Sequence, residues 1–193
     1  MIQSECYEAL SHALGEKRLK DLLERLGDYG IFSRGAVLGL TEEQTACVHA
    51  YTLTDTIDGQ SLFRTINAAL RKGDGALEPK IFDVLLQGLE KMPKFEGVAV
   101  RRTELPAEVI SMNSGQLFAD PAFLSASRNL DPHSRVYFGR DVLFLRSITG
   151  RDISSLAAFA SEQEILFLPG TKFRISSVSE AGTGFTIIGD EET

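Results

Sequence analysis

Two glutamates stand two residues apart in the stretch Ser161-Glu162-Gln163-Glu164-Ile165-Leu166-Phe167-Leu168-Pro169-Gly170-Thr171-Lys172-Phe173, at the entrance of an apolar run. Read as a β-strand, the stretch alternates faces, so Glu162 and Glu164 project from the same side. Like charges held that close mark either a solvated strand edge or a site, since each makes the other harder to ionise. Upstream lie an arginine at the end of a short apolar strand, Val98-Ala99-Val100-Arg101, and a serine pair on another, Phe123-Leu124-Ser125-Ala126-Ser127. The residue types define a chemistry. An always-ionised guanidinium fork suits phosphate oxygens. A carboxylate can stabilise a developing positive charge or accept a proton. A serine hydroxyl can hold a carboxylate in one rotamer.

These residues lie in the second half of the chain, whose pattern differs from that of the first. Residues 4–26 carry apolar side chains at Cys6, Leu10, Leu14, Leu19, Leu22, Leu23 and Leu26, which predicts a helix ended by Gly27 and Gly30. Thr41-Glu42-Glu43-Gln44 has the form of a capping box and predicts a helix to about Tyr51. Residues 61–70 put Leu62, Ile66, Ala69 and Leu70 on one face, with Gly73 as a stop. Pro79 opens a further helix with Ile81, Val84, Leu85 and Leu89 inward, and Pro93 closes it. After Pro93 the runs shorten and gain β-branched and aromatic residues: 97–102, 123–127, 142–147, 164–168, 172–178 and 184–188 read as strands separated by Gly and Pro turns. Helices first and strands later give an α+β class. Gly73-Asp74-Gly75 reads as a tight loop too short for a domain boundary, so one domain is expected over 1–193, with 1–95 mainly helical and 96–193 mainly β. The acidic tail 189–193 is expected to fray.

The 193 residues suffice for one sizeable domain, and 43% hydrophobic with 24% charged residues is ordinary for a soluble globular protein. A net charge of −7 disfavours a general phosphate-backbone binder, so nucleic acid is not the expected partner. It leaves room for a local basic pocket for a small anionic cofactor. Cys6 and Cys47 make no disulfide framework and are expected as reduced, small apolar side chains. No apolar run approaches the ~20 residues of a membrane span, and residues 1–14 lack the basic-then-apolar plan of a secretory signal. Export would then proceed without a cleaved signal, or as part of a larger secreted polypeptide. His12, His49 and His133 show no metal-ligand spacing with each other or with the cysteines, and no metal is expected. Neither a phosphate-cradling Gly-x-x-x-x-Gly-Lys-Ser/Thr nor a Gly-x-Gly-x-x-Gly after a strand occurs, so a Rossmann unit is not indicated.

Arg, then Ser-x-Ser, then Glu-x-Glu, in that order, resembles the R-S-E class of mono-ADP-ribosyltransferases, the clan of clostridial binary toxins and related bacterial effectors. The likeness runs from about Leu40 to Ile175. Leu40-Thr41-Glu42-Glu43 and Tyr51-Thr52 resemble the family's first helix, and Ile66-Asn67-Ala68-Ala69-Leu70-Arg71 its Ile-Asn-x-x-Leu-Arg segment. Val100-Arg101 resembles the strand carrying the NAD-binding arginine, and Phe123-Leu124-Ser125-Ala126-Ser127 resembles Phe-x-Ser-Thr-Ser. Thr149-Gly150-Arg151-Asp152-Ile153-Ser154 resembles the segment before the substrate-facing loop, and Glu162-Gln163-Glu164 the Glu-x-Glu that ends it. The joint order carries the weight, with 24 residues from Arg101 to Ser125 and 39 from Ser125 to Glu164. Three positions depart from the pattern: Arg102 follows Arg101, Val100 stands where an aromatic is common, and Ala126 replaces the threonine.

The resemblance implies an α+β fold, its helical N-terminal half packed on a C-terminal two-sheet β core of ADP-ribosyltransferase type. It implies NAD⁺ as co-substrate without a metal. Arg101 would clamp the pyrophosphate, or Arg102 if the register slips by one. Glu164 would stabilise an oxocarbenium-like state at the ribose, and Ser125 would hold Glu164. Glu162 would pair with an acceptor guanidinium and draw off its proton, the role that sets arginine as acceptor. Arg71, Asn67 and Tyr51 would contact NAD⁺, and Phe159 would meet the target. The implied function is ADP-ribosyl transfer to a protein arginine by a bacterial toxin or effector. It would act in the cytosol of a target cell and be countered by a cognate immunity or inhibitor protein. The same residues also suit an NAD⁺ glycohydrolase or a non-arginine acceptor such as nucleic acid; a non-catalytic interaction domain would have no need to keep Arg101, Ser125 and Glu164 together.

Overall fold

In the computed structural model, which describes residues 4–54, 61–73, 79–130 and 138–193, elements change from helix to strand where the apolar spacing shortens after Pro93. His133 and the Asp74-Gly75 part of the expected loop lie outside the described residues. The chain forms two compact units. One comprises Met1–Met92 with Ile153–Ala160, the other Pro93–Asp152 with Ser161–Thr193.

The first unit is helical. α1 (Glu5–Leu14) and α2 (Glu16–Asp28) divide the single helix expected over 4–26. The break is Gly15, at φ +83°, a conformation that other residues avoid. α3 (Ile31–Val37) is a short helix without a sequence signal of its own. α4 (Glu42–Tyr51) starts at the expected capping box: Gln44 N donates to Thr41 Oγ1 at 3.2 Å, and Thr41 N donates to Gln44 Oε1 at 3.1 Å. α5 (Leu62–Lys72) and α6 (Pro79–Lys91) follow the sequence reading. α4 lies at the centre, packed against α1, α3, α5 and α6, with Thr45 through Tyr51 buried except His49. A helix buried on all sides needs no apolar stripe, which is why small and polar residues alternate freely along it. A Cβ on Gly35 of α3 would lie 2.0 Å from Thr45 Oγ1, so the close approach of α3 to α4 requires glycine. Cys6 and Cys47 are free and buried, their sulfurs 3.3 Å apart.

The second unit holds β1 (Gly97–Thr103), α7 (Ala107–Ile110), β2 (Leu117–Ala119), β3 (Leu124–Ser127), β4 (Asp141–Ser147), β5 (Arg151–Asp152), β6 (Glu164–Phe167), β7 (Lys172–Ala181) and β8 (Gly184–Glu192). The α+β class stands, but the strands form one hydrogen-bonded sheet of eight, in the order β2-β7-β8-β4-β1-β3-β6-β5, rather than the two sheets expected. The joint is slight. β1 and β3 share a single register pair, Val100↔Ser127, so a ladder ending in β1 and a ladder starting at β3 meet at one point. Leu143, Leu145, Ile165, Phe167, Phe173 and Ile187 fill the core of this unit, with the rings of Phe167 and Phe173 edge-on at 5.0 Å.

The tail does not fray. β8 runs to Glu192, parallel to β4 and antiparallel to β7. Its acidic residues have partners. Buried Glu191 accepts from Ile148 N at 2.5 Å, from Thr149 N at 2.9 Å and from the Thr149 hydroxyl. Glu192 receives a two-pronged bond from Arg174, at 2.6 and 2.7 Å. Asp141, 0% exposed, accepts from Leu105 N and Phe185 N, both at 2.9 Å. Burial works to raise its pKa, but those two backbone bonds and Arg140 outweigh it and hold the carboxyl below its usual range. No helix among the described residues is long and apolar enough to cross a membrane.

Candidate active site

Three strands of the second unit bring the expected residues together. Ser127 on β3 sits directly opposite Glu164, the first residue of β6, and Ser125 sits opposite Leu166. Side chains two apart on a strand share a face, so Ser125 reaches Glu164 along the diagonal. Its hydroxyl donates to Glu164 Oε1. From β1, Arg101 Nη1 donates to the Ser125 carbonyl at 2.5 Å. Arg101 is thus tied to the backbone of Ser125, and its charge acts on Glu164, while the alternation of β1 turns Arg102 to the opposite face from Arg101. The two serines divide the work. Ser127 Oγ donates to the Glu162 carbonyl at 2.6 Å and accepts from Asn129 N at 3.0 Å, which fixes the chain entering β6.

That entry differs from the strand expected for Glu162-Gln163-Glu164. Glu162 ends a 3-10 turn, Ala160–Glu162, and β6 begins only at Glu164. Between them Gln163 takes φ +47°, a left-handed conformation uncommon for any residue but glycine. Arg128 N donates to its carbonyl at 3.1 Å. The two glutamates are therefore neighbours across a turn and not by strand alternation. Local strain of this kind persists only where surrounding bonds over-determine it, and the Ser127 and Arg128 bonds do so here.

Glu164 is 6% exposed. Burial pushes its pKa up to about 7; the Ser125 hydroxyl pulls it back, the Glu162 charge adds to the rise, and Arg101 opposes it. Half-buried Glu162 is also raised, by burial. The result is a buried carboxyl whose pKa is raised well above the ordinary carboxylate range, beside a fixed guanidinium and a second carboxyl on a strained turn. Such an arrangement can stabilise a cation forming against Glu164 and accept a proton at Glu162.

The other expected residues belong to the helical unit. Asn67 Nδ2 donates to the Tyr51 hydroxyl at 3.1 Å. Tyr51 is only 3% exposed, its ring edge-on to Phe63 at 6.3 Å, so its ring serves the helical core. Arg71 is exposed in the last turn of α5, and Phe159 is 44% exposed. Two residues at the end of α4 that the sequence assigned no site role, His49 and the C-cap Thr52, hold the segment before Glu162. His49 Nδ1 donates to the Leu156 carbonyl at 2.7 Å. Thr52 Oγ1 accepts from Ala158 N at 2.9 Å and donates to the His49 carbonyl at 2.7 Å. Burial lowers the His49 pKa, against the Leu156 bond, with Arg25 and Arg34 adding to the fall, so the ring is neutral at physiological pH. Among the described residues no cluster of three His, Cys, Asp or Glu side chains could hold a metal ion.

The sequence is similar to two bacterial proteins named NAD⁺–protein-arginine ADP-ribosyltransferase Tre1. The one from Pseudomonas putida (strain GB-1) is 35% identical over 156 residues, 78% of this chain and 29% of that protein. The one from Serratia proteamaculans (strain 568) is 31% identical over 150 residues, 75% of this chain and 31% of its length. The chain thus spans less than a third of either relative. Among solved structures, the fold is similar to the type III effector XopAI of Xanthomonas axonopodis pv. citri, with a TM-score of 0.77 at 17% identity, covering 99% of this chain and 89% of that one. It is also similar to the ADP-ribosyltransferase HopU1 of Pseudomonas syringae pv. Tomato DC3000, with a TM-score of 0.74 at 19% identity, covering 90% and 87%. No protein-family profile matches the chain.

Proposed function

We propose that this chain, by sequence and fold a bacterial mono-ADP-ribosyltransferase domain of the R-S-E class, transfers ADP-ribose from NAD⁺ to an arginine of a target protein. The observation that carries the reading is the buried Glu164, held by the Ser125 hydroxyl, with Arg101 bonded to the same serine and Glu162 one turn away. In the reaction the bond between nicotinamide nitrogen and ribose carbon breaks, and its electron pair leaves with nicotinamide, which becomes neutral. The positive charge moves to the ribose, where the Glu164 carboxylate stabilises it. The cationic nicotinamide ring of bound NAD⁺ favours the ionised form of Glu164 before the bond breaks. Arg101 holds the pyrophosphate, for which a guanidinium fork is well shaped. An acceptor guanidinium, protonated in water, attacks the ribose carbon through one nitrogen and gives a proton to the Glu162 carboxylate. For Asn67 and Arg71 the proposal carries over the NAD⁺ contacts that the resemblance gives them, for buried Tyr51 only a part played through its hydroxyl, which accepts from Asn67, and for Phe159 contact with the target.

The proposed setting is that of a toxin or effector in the cytosol of a target cell, with a cognate immunity or inhibitor protein. The type III effector neighbour supports the effector part of this setting; the immunity or inhibitor protein is carried over from the resemblance alone. The test is incubation of the full chain with labelled NAD⁺ and a cell lysate, followed by mass spectrometry. Label on arginine is expected. Free ADP-ribose alone would mark a glycohydrolase, label on nucleic acid a different acceptor, and no turnover a non-catalytic domain.

A further inference from the structure

A cavity of about 540 Å³ opens in the helical unit, walled by α2, α3, the end of α4 and the segment Ile153–Ala160. Its composition runs against that of the chain. The protein carries a net charge of −7, yet among the described residues no aspartate or glutamate lines the cavity, while Arg25 and Arg34 do. Arg25 Nε donates to the Asp21 carbonyl at 3.3 Å and Arg34 Nη2 to the Tyr29 carbonyl at 3.4 Å. Both partners are backbone oxygens, and neither arginine has a carboxylate partner among the described residues. Arg25, Arg34 and His49 all line this one cavity. Two aromatic rings flank them, Tyr29 at 72% exposure and Phe159 at 44%. Exposed aromatics beside arginines are what protein interfaces favour.

We propose that this cavity is a docking surface for an acidic segment of the acceptor protein, with carboxylates paired to Arg25 and Arg34 and apolar side chains on Tyr29 and Phe159. The docking rests on charge complementarity; the identity of the partner as acceptor rests on the transferase reading above. The chain path links them. Ala160 lines the cavity and also opens the 3-10 turn that ends at Glu162. Glu162, proposed to receive the acceptor guanidinium, follows Ala160 by two residues in the chain. The segment is held rigid for such a task by the His49–Leu156 and Thr52–Ala158 bonds. A nucleic acid fits poorly: tracking a phosphate backbone takes a row of cations, and here two guanidinia stand beside a neutral imidazole and apolar walls. A protein segment supplies both carboxylates and apolar groups.

The test uses the full chain, two labelled arginine peptides and agmatine. One peptide carries a run of glutamates interspersed with leucine; in the other, glutamines replace the glutamates. Fluorescence anisotropy without NAD⁺ at about 50 mM salt measures binding, and mass spectrometry with NAD⁺ measures transfer. The parent should bind the acidic peptide about tenfold more tightly than the neutral one, as expected when two exposed charge pairs form together. Arg25→Glu combined with Arg34→Glu should abolish or invert that preference and leave transfer to agmatine within about twofold, a result that also shows the fold intact. The milder pair Arg25→Gln and Arg34→Gln should fall between. Equal binding of both peptides by the parent overturns the docking surface, as does tighter binding of an oligothymidine than of the acidic peptide. The two readings fail separately. Agmatine modified without any acidic preference sinks the docking surface alone. A clear acidic preference with no arginine modified in any acceptor sinks the transferase reading and leaves the docking surface standing.

Discussion

Glu164→Gln should destroy activity and strengthen the fold in the same molecule. The amide keeps the shape of the side chain and an oxygen for the Ser125 hydroxyl; what it removes is the charge. Without the carboxylate opposite the ribose, transition-state stabilisation should fall by about 3 kcal/mol or more, a loss of at least about a hundredfold in nicotinamide release. Stability moves the other way. The carboxyl has an ordinary pKa of 4.5 and is pushed up to about 7 in the fold. The folded state therefore binds its proton more firmly than the unfolded chain does. The resulting stabilisation is complete below about pH 4.5, drains away as pH rises, and is gone above about pH 7. At about 1.4 kcal/mol per pH unit, the interval from 4.5 to about 7 corresponds to about 3 kcal/mol. Glutamine never ionises and keeps that stability at every pH. Urea denaturation followed by circular dichroism at pH 4.5 and pH 8 is the assay. The variant should match the parent at the lower pH and exceed it by about 3 kcal/mol at the higher one. A variant no more stable than the parent at pH 8, or a gap of equal size at both pH values, refutes the reasoning. Activity within a factor of two of the parent refutes the role of Glu164.

Arg101→Ala should weaken NAD⁺ binding far more than Arg102→Ala, as read by calorimetric titration, because alternation along β1 puts them on opposite faces; the reverse order would move the clamp to Arg102. Glu162→Gln should separate the two outputs of the reaction. Nicotinamide release should persist while arginine modification collapses, since an amide can neither pair with a guanidinium as a charge nor take its proton; a parallel fall in both would place Glu162 in the NAD⁺ site. Ser125→Ala removes a bond that pulls the Glu164 pKa down, so the acid limb of the pH–rate profile should shift to higher pH, and an unmoved limb would reduce Ser125 to a structural residue. Asp141→Ala strands the Leu105 and Phe185 amides in a buried place, which should cost about 3 kcal/mol in urea denaturation without changing the Michaelis constant for NAD⁺.

Local chemistry was legible where it suffices to make an element. The Thr41–Gln44 box, the stripe of α5 and the Pro79 start of α6 are each written in a few adjacent residues, and each formed as expected. The order of Arg101, Ser125 and Glu164 was legible as well, because three separate strands each carry one of them. What failed depends on partners distant in the chain. The tail looked frayed because it is acidic, yet Glu191 answers the amides of a turn more than forty residues earlier, at Ile148 and Thr149. Glu162 was read as a strand residue because alternation is the default, and only the bonds from Ser127 and Arg128 hold Gln163 in its left-handed turn. The attachment of the segment Ile153–Ala160 to His49 and Thr52 could not be read from either piece alone. Nothing in the sequence singles out Arg25 and Arg34, and only the fold places both around one cavity.

The parallel pairing of β4 with β8 sets a timetable for synthesis. β1, β3 and β4 leave the ribosome in order, but the free edge of β4 must wait for residues 184–192 before it finds its neighbour. Until then β4 presents an open row of amides and carbonyls flanked by Leu143 and Leu145, both fully buried in the finished sheet, and such an edge invites pairing with another chain. Contacts between segments so far apart also close slowly, because the loop must be gathered before any bond rewards it. The sheet that carries Arg101, Ser125 and Glu164 therefore cannot close on the β4 edge until β8 arrives, and the carboxylates of Asp190, Glu191 and Glu192 keep β8 solvated until it docks.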